Sequence, residues 1–399
     1  MYVSGTALPD AARSAGPVPP TVLALGLVSL FTDVSAEMVS AFLPMYLVYG
    51  LGVGYLQLGV LDALYTGATA VLRLAGGHVA DRTGRPKAVA AVGYGLSAVT
   101  KLGFPAAGGS LGAIGGLIAA DRAGKGIRTG PRDALITLST PESGLGRAFG
   151  VHRAMDTFGA LLGPVVVFAL LAWTAATYDA VFVVAFCSAA VGLVILLCWV
   201  RERPRPPGRP RVRLREGLAL LRERRFRGLT VVALALGATT VSDAFLLLAV
   251  QRQADWSPDL LPLLPVGVAA VFLAASIPVG KLADRVGRVR VFIAGHVLLL
   301  GAYVLLATGA GWPVAVLALA LHGLYYASTD GVLMACAGPL VPEHLRASGL
   351  AVVQTAHALG RTAAALLFGA VAAAWDPRAA LVVFAVALAA AAGWGARWR

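Results

Sequence analysis

Long apolar blocks divide this sequence, and they limit the chain to one class of fold. Each block holds about 20 mostly apolar residues, the length at which a helix crosses about 30 Å of hydrocarbon. Of the 399 residues, 58% are hydrophobic and 13% are charged, whereas soluble domains are about a quarter charged. Because helices satisfy their own backbone hydrogen bonds within a bilayer, the pattern predicts an all-α polytopic membrane protein.

Glycines, prolines and charged residues separate twelve such blocks. We predict membrane-spanning helices at 22–49, 53–80, 87–107, 110–137, 146–172, 177–200, 228–250, 258–283, 289–310, 313–338, 346–373 and 377–396.

Basic residues fall in alternate loops, which predicts the orientation. The stretch 201–227 alone carries eleven arginines against three glutamates. Since basic loops mark the cytoplasmic side, we predict a multi-pass protein of the cell (inner or plasma) membrane with both termini cytoplasmic. A nucleic-acid-binding arm is the rival interpretation of 201–227. Topology and attraction to lipid headgroups account for the arginines without it, so we expect a lipid bilayer and no nucleic acid as partners.

One motif occurs in both halves of the chain. Residues 77–87 read GHVADRTGRPK and residues 280–290 read GKLADRVGRVR, offset by 203 positions. A shorter repeat relates Arg147–Gly150 (RAFG) to Arg346–Gly349 (RASG). Self-similarity in the same order predicts a duplicated six-span unit. The predicted domains are a cytoplasmic leader (1–21), an N-terminal six-helix bundle (22–200), a basic cytoplasmic linker (201–227) and a C-terminal six-helix bundle (228–399).

The repeated G-x-x-x-D-R-x-G-R signature between the second and third spans of each half resembles that of the major facilitator superfamily. The resemblance covers all twelve spans and implies two pseudo-symmetric bundles that rock around a central cavity. It also implies a gating role for the motif, with Asp81 facing the amino end of span eleven and Asp284 that of span five, where a helix dipole favours an anion. The alternative is that the motif only sets topology. The gating residues are Gly77, Asp81, Arg82, Gly84, Arg85, Gly280, Asp284, Arg285, Gly287 and Arg288.

Charged residues inside the predicted spans are the candidates for function, because a charge buried in a membrane is costly unless it is paired or hydrated. At 1.5 Å rise per residue, Asp33, Arg122 and Asp156 all lie roughly 15–16 Å from an end of their spans. We therefore expect a cluster of these three near the midplane, with Glu37 close by. Either they only hold the helices together, or one carboxylate takes up a proton and couples its movement to that of a solute. The candidate coupling and cavity residues are Asp33, Glu37, Arg122, Lys125, Asp156, His152, Arg153, Asp243, Asp330, His357 and Arg361.

The two halves differ in these charges. Asp243 is expected at the place in span seven that Asp33 holds in span one, but Leu247 stands where Glu37 would be. We therefore expect the first half to carry the ion coupling and the second half to shape the pocket. His152 and His357 are either proton relays or hydrogen-bonded packing residues.

Two further patterns bear on the mechanism. Arg122-Ala-Gly-Lys125-Gly126 resembles a span-four motif of proton-coupled carriers in this superfamily, and Gly150, Gly159, Gly163 and Pro164 resemble the span-five signature of its exporting antiporters. Helix packing alone would also explain these glycines. Val167 and Phe168 replace the Gly-Gly pair with which the antiporter pattern continues. The abundance of intramembrane basic residues favours a cargo with anionic or chelating oxygens.

We thus predict a secondary transporter that moves a small solute by alternating access, through proton-coupled efflux (antiport). Uptake of a small organic solute or metal chelate is the alternative. A membrane-embedded sensor or enzyme is more remote, because there is no H-E-x-x-H array, nucleophile elbow or phosphate-binding loop. We expect no catalytic residues, no metal and no cofactor, and a monomer that works with protons and a small-molecule substrate.

Overall fold

The computed structural model describes residues 18–83, 85–141, 145–174, 178–201, 214–342 and 345–397. Within these ranges the chain is helical and contains no strand. The helices are α1 Pro20–Met45, α2 Tyr55–Thr83, α3 Pro86–Ala106, α4 Leu111–Ser139, α5 Leu145–Trp173, α6 Tyr178–Trp199, α7a Arg224–Ala238, α7b Asp243–Gln253, α8 Leu264–Val286, α9 Arg288–Thr308, α10 Trp312–Ala337, α11 Arg346–Ala374 and α12 Pro377–Arg397.

These elements give the twelve predicted spans, with α7a and α7b forming the seventh. Eight stretches of the described helices are long and apolar enough to cross a membrane by length and composition alone. The linker between the halves, where it is described, forms a short helix, Leu214–Ala219, and a 3₁₀ turn, Leu220–Arg222. Helix α7a begins at Arg224, three residues earlier than the predicted linker ends. The expected leader, residues 1–17, and residues 202–213 lie outside the described ranges.

Span seven is broken, although the sequence predicts it as one helix. The Thr239 and Thr240 hydroxyls donate to Leu236 O at 2.9 and 2.8 Å, so they compete for the carbonyl that would continue the helix. Across the break, the backbone N–H of Val241 donates to the Tyr303 hydroxyl of α9 at 2.7 Å, and that hydroxyl in turn donates to Thr239 O. The freed backbone groups are therefore satisfied, as a membrane interior requires.

The two halves repeat one packing scheme. In the first half α1 packs on α5, α2 on α4, α3 on α4 and α3 on α6; in the second, α7a packs on α11, α8 on α10, α9 on α10 and α9 on α12. Each pair in the second list is its counterpart in the first shifted by six helices. This supports the duplicated six-helix unit that the sequence motifs predict.

The halves contact each other mainly through α2 and α11. We call the end of the molecule that carries the linker the linker end, and the other end, with the α1–α2 connection, the opposite end. At the opposite end Tyr49 Oη donates to Gln251 Oε1 at 2.6 Å, and Arg252 hydrogen-bonds the Tyr55 hydroxyl. Below them the α2 and α11 backbones touch, because a Cβ at Gly369 would lie 2.7 Å from Tyr55 O. These contacts close the molecule at the opposite end.

Candidate functional site

A cavity of about 450 Å³ lies between the two halves near the midplane. Its walls include apolar side chains from both halves, such as Leu43, Leu61, Leu247 and Phe272. Asp330, two turns from the linker end of α10, is exposed and also lines the cavity, so the cavity opens toward the linker end. Its ionisable lining residues are Glu37, Asp62, Tyr65, Asp243, His322, Tyr326, Asp330 and Arg361.

Asp243 is the best-connected of these groups. The break in span seven places it in the first turn of α7b, where the helix dipole favours a negative charge. Its Oδ1 is 3.0 Å from His322 Nε2, and Tyr326 Oη donates to both carboxylate oxygens at 2.8 Å. Arg361 Nη2 lies 3.8 Å from Oδ1 and donates to the Tyr326 hydroxyl at 3.2 Å. These contacts join α7b, α10 and α11 into one polar network.

Asp243 does not occupy the place of Asp33, contrary to expectation. It lines the cavity together with Glu37, whereas Asp33 is not among the lining residues. The interruption after Ala238 changes the number of residues per turn in span seven, so counting along an unbroken helix gives the wrong level.

Asp62 and His322 line the cavity and were not among the candidates from the sequence. Asp62 lies near Ser242 of the other half, but neither the Asp62 Oδ2 nor the Ser242 hydroxyl has a hydrogen-bond partner among the described residues. Both residues lie within predicted membrane spans, Asp62 in α2 and His322 in α10. An ionisable residue in that setting is itself a signal of function, and that signal could have identified them.

A second polar group lies between α1 and α5, outside the cavity lining. The Ser29 hydroxyl is 2.6 Å from Asp156 Oδ1 and 3.3 Å from Asp33 Oδ2, and the two carboxyl groups contact each other. Asp33 is 8% exposed. The structure therefore brings together the two carboxyl groups that helix depth predicts to meet.

Arg122 was expected beside this carboxyl pair, but other basic residues lie there. Arg132 Nη1 lies 3.9 Å from Asp156 Oδ1, and its Nη2 lies 2.9 Å from Asp133 Oδ1. Arg153 Nη1 lies 3.5 Å from Asp156 Oδ2, but this side chain is 77% exposed. Lys125 contributes an electrostatic interaction with Asp33.

Arg122, predicted to join the carboxyl pair, is held elsewhere. It forms an ion pair with Asp121, the residue before it, and its guanidinium lies 4.1 Å from the centre of the Tyr65 ring. Asp121 also accepts from Lys101 Nζ at 3.0 Å and from Ser97 Oγ at 2.5 Å. The result is a buried ion cluster between α3 and α4 that helix depth alone did not reveal.

Both candidate histidines are in helix–helix interfaces and neither lines the cavity. His152 is 3% exposed, and neither of its ring nitrogens has a partner in the described part of the chain. It lies beside Arg132, Asp156 and Asp133, whose charges act on it. His357 packs against Gly237 of α7a, and its Nε2 has no partner within the described ranges.

The side chains of the gating residues are described throughout the second half, but in the first half only at Arg85. Asp284 Oδ1 accepts from Arg288 Nε at 3.1 Å and from Nη2 at 3.0 Å, while Arg288 Nη1 donates to Ala335 O at 2.9 Å. The Asp284 side chain is 65% exposed; its expected contact with the amino end of α5 involves residues outside the described ranges and stays a prediction. Gly287 adopts φ +105°, which ends α8 and begins α9. Arg285 and Arg85 are exposed; the side chains of residues 77–83 and all of Gly84 lie outside the description.

The span-five glycines differ in their surroundings. A Cβ at Gly159 would collide with Leu30 O, and one at Gly163 would lie 2.8 Å from both Glu37 Cβ and Val34 O, so both glycines let α5 touch α1. Pro164 follows inside α5. Gly150 is exposed with no atom within 4 Å of an added Cβ, so the expectation that it serves helix packing is wrong here.

Comparisons with known proteins agree on one family. The model of the Major Facilitator Superfamily matches residues 25–274 and 228–399. An uncharacterised MFS-type transporter of Methanocaldococcus jannaschii is 29% identical over 359 residues, which cover 87% of each chain. The crystal structure of the nucleoside transporter NupG superposes with a TM-score of 0.79 at 15% identity, covering 94% of this chain and 98% of that one. An inward-facing, unoccupied bacterial homologue of the human lysosomal transporter Spinster gives 0.73 at 15% identity, covering 95% and 97%.

Proposed function

This chain belongs to the Major Facilitator Superfamily and is a multi-pass membrane transporter, and from that premise we propose that it exports a small solute in exchange for protons. The solute occupies the cavity between the halves, and the proton binds at the Asp33–Asp156 carboxyl pair. The two halves, 22–200 and 228–399, rock as units about the cavity.

The arrangement of Asp33, Ser29 and Asp156 is the observation that carries this proposal. Ser29 has a single hydroxyl hydrogen, yet its Oγ lies within hydrogen-bonding distance of both carboxyl groups. Two carboxyl groups in contact repel when both are ionised, and a proton shared between them removes the repulsion. The pair is therefore suited to taking up and releasing one proton between α1 and α5.

Helix α1 links the proton site to the solute cavity. Asp33 and Glu37 are one helical turn apart on α1, so they lie on the same side of the helix. Asp33 contacts α5, whereas Glu37 lines the cavity. Loss of the shared proton changes the attraction of Asp156 for Arg132, which is 3.9 Å away, and a shift of α1 against α5 carries this change to the cavity.

The glycine pattern of span five is the reason for proposing export rather than uptake of the solute. Gly159 and Gly163 place α5 directly against α1 beside the carboxyl pair, and their spacing resembles that of exporting antiporters in this family. Uptake coupled to protons would use the same cavity and the same carboxyl pair, so the experiment must resolve the direction of flux.

We further propose that the transporter works as a monomer in the cell (inner or plasma) membrane, with the linker end cytoplasmic. The exposed arginines at the beginning of α7a, Arg224, Arg225 and Arg227, support this orientation.

The test uses purified full-length protein in liposomes with an imposed pH gradient and a pH-sensitive dye inside. Organic cations, organic anions and metal chelates are added in turn, and both proton and solute movement are recorded. We expect one class of solute to move against the direction of proton flow. Asp33→Asn and Asp156→Asn should each abolish solute-dependent proton flux, because an amide cannot take up the proton.

Asp259→Asn is the matched control, since Asp259 lies in the exposed 3₁₀ turn before α8, far from the carboxyl pair. It should leave the flux unchanged. Flux that persists at the wild-type rate in both Asp33→Asn and Asp156→Asn would refute the proposed proton site, and solute movement in the same direction as protons would replace export by uptake.

A further inference from the structure

Among the described residues, the carboxyl groups of the cavity outnumber its cations. Glu37, Asp62, Asp243 and Asp330 line it, and Arg361 is the one guanidinium in this described part of the lining. The charge of Asp243 is already compensated, because His322 and Tyr326 hydrogen-bond its carboxylate and Arg361 lies 3.8 Å from it. Three carboxyl groups then remain for which the described part of the lining offers no cation.

These three carboxyl groups are also poorly satisfied by the rest of the molecule. Glu37 and Asp330 form no ion pair with any described residue. Asp62 lies near Ser242, but its Oδ2 and the Ser242 hydroxyl both lack a hydrogen-bond partner in the ranges that the structure covers. A carboxylate within a membrane protein requires a partner or water, so each of these groups is available to a bound solute.

The basic residues of the first half do not compensate for them. Arg122 feels the charge of Glu37 but gives its hydrogen bonds to Asp121, and the Tyr65 ring lies between it and the cavity. Arg128 lies over the Tyr94 ring at 4.6 Å, and Arg132 is bound to Asp133. The sequence-based expectation of an anionic or chelating cargo rested on the abundance of intramembrane basic residues, but Arg122 and Arg128 are not among the residues that line the cavity.

We propose that the solute is a small amphipathic organic cation, such as a protonated amine or a quaternary ammonium. Its charge is attracted by the carboxyl groups of the lining that lack an ion pair, Glu37, Asp62 and Asp330, and its apolar part packs against Leu43, Leu61 and Phe272. The aromatic faces of Tyr65 and Tyr326 add cation–π attraction. This inference rests on the proposed transport function and names the substrate class of the same cavity.

Binding by purified full-length protein in detergent tests the inference without requiring transport. The probes are ethidium, a fluorescent organic cation, and fluorescein, a fluorescent organic anion, and the readout is fluorescence anisotropy. We expect saturable binding of ethidium and weaker or no binding of fluorescein by the unmodified protein. Glu37→Gln and Asp330→Asn should each raise the ethidium Kd about tenfold, the effect of losing one favourable charge contact.

Two exposed carboxylates give matched controls: Glu216→Gln in the short linker helix and Asp179→Asn at the start of α6. Both should bind ethidium like the wild type. The inference is overturned if fluorescein binds as tightly as ethidium, if ethidium does not bind up to millimolar concentration, or if both cavity variants bind it unchanged. The probe comparison on the unmodified protein decides the matter even if a variant does not fold.

Failure of this inference differs from failure of the proposed function. Proton flux coupled only to an anionic or neutral solute would exclude the cation and keep the antiporter. Ethidium binding that depends on Glu37 and Asp330, without coupled proton flux in liposomes, would keep the cation site and exclude the proton coupling.

Discussion

At the scale of single residues, Asp121 is the carboxylate that pairs with two buried cations, Lys101 and Arg122. The side chains of Lys101 and Asp121 are 2% and 6% exposed, and Arg122 is held on the same carboxylate. Ser97 completes the cluster by donating to Asp121 Oδ1. Neither cation has another carboxylate within ion-pair distance among the described residues. The cluster joins α3 to α4, and its Arg122 lies against the ring of Tyr65, which lines the cavity.

We predict that Asp121→Asn destabilises the protein by about 3–5 kcal/mol, because it leaves two buried cations without their counter-charge. The free energy of unfolding can be measured by titration with denaturing detergent in mixed micelles. Asp133→Asn is the control, since the Asp133 side chain is 44% exposed and its pairing with the adjacent Arg132 is worth little. Equal midpoints for the two variants would show that the buried cluster is not needed for stability.

At the scale of helices, the contact between α1 and α5 is the most extensive of any helix pair that the structure describes. Gly159 and Gly163 make this possible, since side chains at either position would meet the α1 backbone. The contact fixes the register between Asp33 on α1 and Asp156 on α5. It also places Glu37, whose Cβ lies next to Gly163.

Gly163→Val should therefore separate α1 from α5. We expect a loss of about 1–3 kcal/mol from overpacking, together with loss of transport because Glu37 and the carboxyl pair shift. Unfolding midpoints and flux in liposomes measure the two effects. Gly150→Val makes the same chemical change on the same helix where no atom lies within 4 Å, and it should be close to neutral. A Gly163→Val protein as stable and active as Gly150→Val would contradict this account of the interface.

How far the sequence predicts these elements depends on what it encodes locally. The apolar blocks and the duplicated motif predicted twelve helices in two six-helix units, and the fold is confirmed. The distance of each residue from the end of its helix correctly predicted that Asp33 and Asp156 lie close together. The same reasoning wrongly placed Arg122 beside them, because the rise per residue gives the level of a side chain along the helix but not the direction in which it points. The break in span seven was also missed, since Thr239 and Thr240 do not by themselves end a helix and the supporting hydroxyl belongs to Tyr303, distant in sequence.

At the scale of the whole molecule, transport requires the two halves to change their contacts. The α2–α11 interface is the largest between them, and it includes Gly67 and Thr362 near the level of the cavity. A Cβ built at Gly67 would lie 3.9 Å from Thr362 Cβ. This is within the separation of about 3.5–4.5 Å that disulfides adopt.

We predict that the pair Gly67→Cys and Thr362→Cys forms a disulfide that stops transport. The native Cys187, Cys198 and Cys336 are first replaced by serine. Oxidation should abolish solute flux in liposomes, and a reducing agent should restore it, because the bond holds α2 and α11 in the arrangement closed at the opposite end. Each single-cysteine protein should be insensitive to oxidation. Full flux with the bond intact would mean that this interface does not move.

The carboxyl pair between α1 and α5 and the cavity lining share one helix but no residue. Under the proposed mechanism, a mutation in the lining can therefore alter which compounds are accepted while the proposed proton site stays intact. Over evolutionary time such separation allows a lineage to acquire new cargoes by small steps, each leaving a working carrier. Paralogues of this chain should accordingly diverge first around Asp62, Asp330 and the apolar wall, and last around Ser29, Asp33 and Asp156.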